Sequence, residues 1–91
     1  MYQLEFTDPA QSQLDAIEKN KNDPGLAKQV KKALGYLQTN PKHPSLNLEK
    51  LKGSRIWTIR IDKSNRIFFA WTDESTALFI DIGKHDKYRE Y

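Results

Sequence analysis

Two groups of side chains in this sequence are equipped for chemistry. The first closes the chain: Ile82 to Tyr91 reads IGKHDKYREY and holds His85, Tyr88 and Tyr91 beside four consecutive titratable residues, Lys84 to Lys87. Histidine changes charge near neutral pH, and a tyrosine hydroxyl both donates and accepts, so the segment suits proton transfer. Its plainer counterpart is a solvated, fraying tail. The second group is Arg60 and Arg66, interleaved with Phe68 and Phe79 on segments that alternate apolar and polar. Guanidinium groups grip phosphate with a planar fork of donors, and aromatic rings stack on splayed bases. Set on one open face, these residues would suit single-stranded RNA. An ordinary ion pair between Arg66 and Asp81 is the alternative. Lys50, Lys52 and Lys84 add positive charge suited to nonspecific phosphate contact. His43, between Pro41 and Pro44, reads as structural.

The elements that must position these groups follow from periodicity. Ile56 to Ile61, Arg66 to Trp71 and Thr76 to Ile82 alternate as strands do, with Asp62–Asn65 and Asp73–Ser75 as turns. Strict alternation puts Trp57, Ile59, Ile61, Ile67, Phe69, Trp71, Leu78, Ile80 and Ile82 on one buried face. The same rule puts Arg60, Arg66, Phe68, Phe79 and Asp81 on the other. Upstream, Tyr2 to Phe6 reads as a further strand. Asp8-Pro9 with Gln11 reads as the capped start of a helix whose apolar face is Ala10, Leu14 and Ile17. Asp23-Pro24 starts a second helix, with Leu26, Val30, Ala33, Leu34 and Leu37 at helical spacing, and Asn40-Pro41 stops it. Lys42 to Gly53 reads as loop.

Composition narrows the class. At 91 residues, with 37% hydrophobic and 30% charged residues, the chain fits one small globular domain spanning 1–91. It has no cysteine, which removes disulfides, thiolate nucleophiles and cysteine-based zinc sites. The first residues lack the basic and apolar regions of a signal peptide, and no apolar run is long enough to span a bilayer. A cytoplasmic protein with no membrane partner is therefore expected. The net charge of +3 falls wholly in the second half, where ten Lys or Arg face seven acids between residues 42 and 91. That asymmetry favours a polyanionic or acidic partner.

Three stretches carry a family resemblance: Leu51-Lys52-Gly53 with its lead-in HPSLNLEKLKG, the hairpin IWTIRIDKSNRIFFAW, and IGKHDKYREY. In this order and spacing they resemble the RelE/ParE superfamily of bacterial toxins over nearly the whole chain. They are most similar to ribosome-dependent mRNA interferases of the RelE, YafQ and HigB type. The resemblance implies an α+β fold in the order β-α-α-β-β-β, with two N-terminal helices on one face of a mainly antiparallel sheet. A short helical or irregular tail would follow. It implies the toxin of a type II toxin–antitoxin system, a metal-independent endoribonuclease that needs no cofactor, cuts mRNA on the ribosome by 2′-hydroxyl attack and so inhibits translation. Its partners would be mRNA, the ribosome and a cognate antitoxin protein. By the same resemblance, Arg66 would contact the scissile phosphate, Arg60 would be a basic position on the first hairpin strand, and His85 would fill a catalytic position. Tyr91 or Tyr88 would attend the 2′-hydroxyl. Two departures stand out: Thr58 lies where RelE has a second lysine, and Asn65 replaces an aromatic residue. A non-catalytic, ParE-like gyrase inhibitor and an inactive protein that only binds its antitoxin are the alternatives.

Overall fold

The computed structural model describes residues 1–84; residues 85–91, with His85, Tyr88 and Tyr91, lie outside the described part. Strand β1 (Gln3–Phe6) leads into helices α1 (Asp8–Lys19) and α2 (Pro24–Thr39). A short 3-10 turn at Pro44–Leu46 precedes strands β2 (Glu49–Lys50), β3 (Trp57–Arg60), β4 (Asn65–Trp71) and β5 (Thr76–Lys84). The five strands form one sheet in the order β1-β5-β4-β3-β2. Every pairing is antiparallel except β1 with β5, which is parallel because the two helices carry the chain across one face. The α+β class and the helices-on-one-face arrangement match expectation. The added strand is β2, whose two residues are too few to show a period.

Both helices begin at Asx-Pro or Thr-Asx-Pro signals. Asp23 caps α2, its carboxylate accepting from the Leu26 N–H at 3.1 Å. At α1 the cap is Thr7 rather than the expected Asp8: the Thr7 hydroxyl accepts from the Ala10 N–H at 3.2 Å, and Asp8 becomes the first helical residue. There its negative charge still favours the helix N-terminus. Ala10 and Leu14 of α1 and Val30, Ala33 and Leu37 of α2 are buried against the sheet. They meet Ile59, Ile67, Phe69, Ala77, Phe79 and Ile82 there.

The last two names on that sheet face reveal a register error in the alternation reading. Phe79 and Ile82 are three residues apart, so strict period-2 alternation would send them to opposite faces. A bulge reconciles them. Phe68 pairs with Asp81 but Phe69 pairs with Phe79, which leaves Ile80 as the extra residue on β5. Before the bulge Ala77 and Phe79 face the helices; after it Ile82 does. Leu78 and Ile80, expected in the core, are only half-buried and stand outside the core cluster. Phe79, expected on the open face, is fully buried, with its ring stacked on Phe6 at 5.0 Å between centroids.

Gln13 of α1 holds this bulge. Pairing with β1 ends where the Thr7 N–H donates to the Phe79 carbonyl at 3.0 Å, and beyond it the outer edge of β5 has no strand among the described residues. There the Gln13 side chain takes over: its Oε1 accepts from the Ile82 N–H and its Nε2 donates to the buried Asp81 carboxylate, both at 2.8 Å. One amide thus serves both a strand-edge donor and a buried carboxylate, groups that are costly to bury without hydrogen bonds. Among the described residues, no helix is long and apolar enough to cross a membrane.

Candidate functional site

The face of the sheet away from the helices is fixed by cross-strand pairing. Glu49 lies opposite Thr58, Thr58 opposite Phe68, and Phe68 opposite Asp81; one step along the sheet, Arg60 lies directly opposite Arg66. Residues that pair share a face, so Glu49, Thr58, Arg60, Arg66, Phe68 and Asp81 point the same way. Both arginines are therefore on the open side, as expected.

The arginine pair is electrostatically unusual. The Ile61 N–H donates to the Asn65 carbonyl at 3.1 Å, closing a hydrogen-bonded pair next to the turn. The adjacent Arg60–Arg66 pair is then of the non-hydrogen-bonded kind, in which side chains approach most closely. Like charges directly opposite each other oppose sheet formation unless something else uses them. Arg60 is exposed and Arg66 half-buried. The Arg66 Nη1 donates to the Thr58 hydroxyl at 3.0 Å, and Thr58 is itself fully buried.

The two guanidinium groups line a polar depression of about 300 Å³ together with Asn47, Leu48 and Glu49. This is the arrangement with most chemical capacity in the described part: two cations, a carboxylate and an amide round one hollow. Asn47 reaches it because the 3-10 turn ends in a left-handed residue, φ 46°, a conformation that asparagine tolerates better than most. Glu49 and Asn47 were not picked out in the sequence, where they sit in a stretch without periodicity. Their signal was position alone, in the polar lead-in to Leu51-Lys52-Gly53. Gly53 has φ 77°, so the glycine of that motif supplies a left-handed turn between β2 and β3, closed by Leu51 N–H donating to the Ile56 carbonyl at 2.8 Å.

Other expected site residues fall elsewhere. Phe68 and Phe79 are both fully buried, so neither offers a ring for base stacking; the bulge turned Phe79 into the core, and Phe68 is enclosed on its own side of the sheet. Lys50 pairs with Trp57 and Lys84 with Asn65, which places both on the opposite face from the arginines, though exposed. Lys52 is exposed in the turn after β2. Asp81 lies opposite Phe68, and Arg66 opposite Gly83, so the direct cross-strand Arg66–Asp81 pairing considered from sequence is not the register found. His43 is structural: its ring stacks on Tyr36 at 3.8 Å, and its Nδ1 accepts from the Ser45 N–H at 3.1 Å. His85, Tyr88 and Tyr91 fall outside the described residues.

The acids at the turns have local roles. Burial pushes the Asp62 carboxyl up, but hydrogen bonds from Ser64 and Asn65, with the nearby Lys84 charge, outweigh it and hold the group below its ordinary value. The Ser75 N–H, then the Thr76 hydroxyl, hold Asp73 low in the same way.

A sheet of this topology with two helices on one face matches the fold of the RelE- and YoeB-like toxins. The model of the family described as "ParE toxin of type II toxin-antitoxin system, parDE" matches residues 4–88, and the chain belongs to that family, within the RelE/ParE superfamily. It is thus a toxin of the type II toxin–antitoxin class. Among solved structures, it is similar to a YoeB/ParE toxin from Agrobacterium tumefaciens, with a TM-score of 0.76 at 15% identity, covering 91% of this chain and 98% of that one. A YoeB–YefM complex from Staphylococcus aureus gives 0.75 at 17% identity, covering 93% and 98%. The E. coli RelBE toxin–antitoxin complex gives 0.67 at 23% identity, covering 92% and 96%. At these identities the likeness is one of fold. No curated protein sequence matches the chain.

Proposed function

We propose that this toxin is a metal-independent endoribonuclease that cuts mRNA on the ribosome and so stops translation. The observation that carries the reading is the Arg60–Arg66 pair, set face to face around a polar hollow that also holds a carboxylate. Two opposed cations are relieved when a phosphodiester enters between them, and their field is strongest on the dianionic phosphorane that forms during transfer.

The reaction divides into steps that these residues suit. The 2′-oxygen of the upstream nucleotide attacks phosphorus, and the bond from phosphorus to the 5′-oxygen breaks, leaving a 2′,3′-cyclic phosphate. The 2′-hydroxyl proton goes to a base, and the 5′-oxygen takes a proton from an acid. Arg66 and Arg60 hold the non-bridging oxygens. Glu49 is the titratable group of the hollow placed to take a proton, while His85 and Tyr88 or Tyr91 are the remaining candidates for proton transfer. Lys50, Lys52 and Lys84 would meet phosphates outside the hollow. With Phe68 and Phe79 buried, base stacking is not assigned to this chain, and the ribosome would position the bases. A cytoplasmic location follows from such a substrate.

The partner proposed is a small antitoxin protein, since the Staphylococcus and E. coli relatives are toxin–antitoxin complexes. An acidic, disordered segment would suit the basic half of this chain.

The match to a family described as ParE supports a second reading, a gyrase inhibitor without nuclease activity. Induced expression without antitoxin separates the two. Translation arrest with fragmented mRNA and normal plasmid supercoiling supports the nuclease; intact mRNA with lost gyrase supercoiling supports the inhibitor.

A further inference from the structure

We infer that Thr58 is a positioning residue that fixes the Arg66 guanidinium for anion binding. The inference rests on reading Arg66 as the phosphate holder. Thr58 lies in the middle of β3, fully buried, with Glu49 opposite on one side and Phe68 opposite on the other. A valine would fill that space and suit a strand equally well. What threonine adds is the hydroxyl, and the hydroxyl accepts from Arg66 Nη1 at 3.0 Å.

The geometry gives this contact a task. Arg60 stands directly opposite, their like charges push the two guanidinium groups apart, and the Thr58 hydroxyl holds one Arg66 nitrogen against that push. The guanidinium is planar with its donors in a fixed fork, so holding one Nη sets the plane and aims the rest. The tether comes from the floor of the sheet. It keeps Arg66 half-buried at the hollow, while exposed Arg60 is left to adjust. A pre-aimed donor loses less freedom when the anion arrives, which strengthens its grip on developing charge.

The test uses the full chain and inorganic phosphate as the probe, followed by NMR at the Arg66 guanidinium, with cleavage on programmed ribosomes measured in parallel. Thr58→Val removes the hydroxyl at constant shape and should weaken phosphate binding at Arg66 by about 3- to 10-fold, the net worth of an ordinary intramolecular hydrogen bond. Thr58→Ser should restore it. On an Arg66→Ala background, read by phosphate binding at Arg60, Thr58→Val should have no further effect, whereas its effect should persist on an Arg60→Ala background. Should Thr58→Val unfold the protein, the Ser and Ala variants decide: Ser like the parent and Ala weakened supports the inference. Equal binding by parent and Thr58→Val, an equal loss with and without Arg66, or no phosphate response at Arg66 in the parent would each overturn it. Phosphate binding that depends on Thr58 without RNA cleavage would instead overturn the nuclease reading and leave this one standing.

Discussion

Arg66 is the residue on which most of the proposed chemistry converges. It faces a like charge in Arg60, borrows an acceptor from Thr58 and borders the hollow that contains Glu49. Removing it should therefore harm catalysis far more than folding. Arg66→Ala is expected to lower single-turnover cleavage by at least about 10²-fold, the usual loss for a charge-stabilising contact. Its melting temperature should change little, because the half-buried side chain lies outside the hydrophobic core and its removal relieves the repulsion with Arg60. Glu49→Gln and His85→Ala bear on proton transfer, where a single group typically contributes ~10²–10⁴-fold. If only one of them lowers the rate, that residue handles the proton and the other does not. Phe79 gives the opposite pattern. Its ring is fully buried against Phe6 and Phe69, so Phe79→Ala should destabilise the fold by about 3–5 kcal/mol in chemical denaturation. A small stability change with selective loss of RNA binding would return Phe79 to the surface role that alternation first suggested.

At the level of elements, most of the fold was legible because long segments repeat a period. The two helices, the β3–β4 hairpin and β5 all show it, and the arginines on the open face follow directly from counting by two. The exceptions have physical causes. Strand β2 is two residues long and cannot display a period. The bulge at Ile80 is bridged by Gln13, which is 68 residues from Asp81 in sequence and invisible to any local pattern. Two predictions belong at this scale. Gly53 occupies a left-handed position with open space around it, so Gly53→Ala is strained by its backbone alone, and should lower stability by about 1 kcal/mol. The turn acids set the acid response. Asp62 and Asp73 both have folded values below the ordinary 3.8, so protons bind more tightly to the unfolded chain. Their stabilisation is complete above that value and is lost as pH falls below it through the lowered folded values. A variant carrying Asp62→Asn and Asp73→Asn should show a shallower fall in melting temperature below about pH 4 than the parent. A parallel fall in both would assign the acid sensitivity to other carboxylates.

The whole molecule places this chemistry on a minimal scaffold. Helices cover one face, and the other presents a small, cation-rich hollow near one end of the β3–β4 hairpin. Membership of a toxin family and likeness of fold fix the class, yet relatives on this fold at 15% to 23% identity leave the reaction to the site itself. The arginine pair is proposed to serve phosphodiester cleavage. The most direct measurement is end-group analysis of mRNA after incubating purified toxin with programmed ribosomes in excess chelator, for the parent and for Arg66→Ala. The expected result is a new 5′ fragment whose 3′ end is a 2′,3′-cyclic phosphate with the parent, and at least about 10²-fold slower appearance with Arg66→Ala at unchanged melting temperature. Intact mRNA with the folded parent, or equal cleavage by both proteins, would contradict the account.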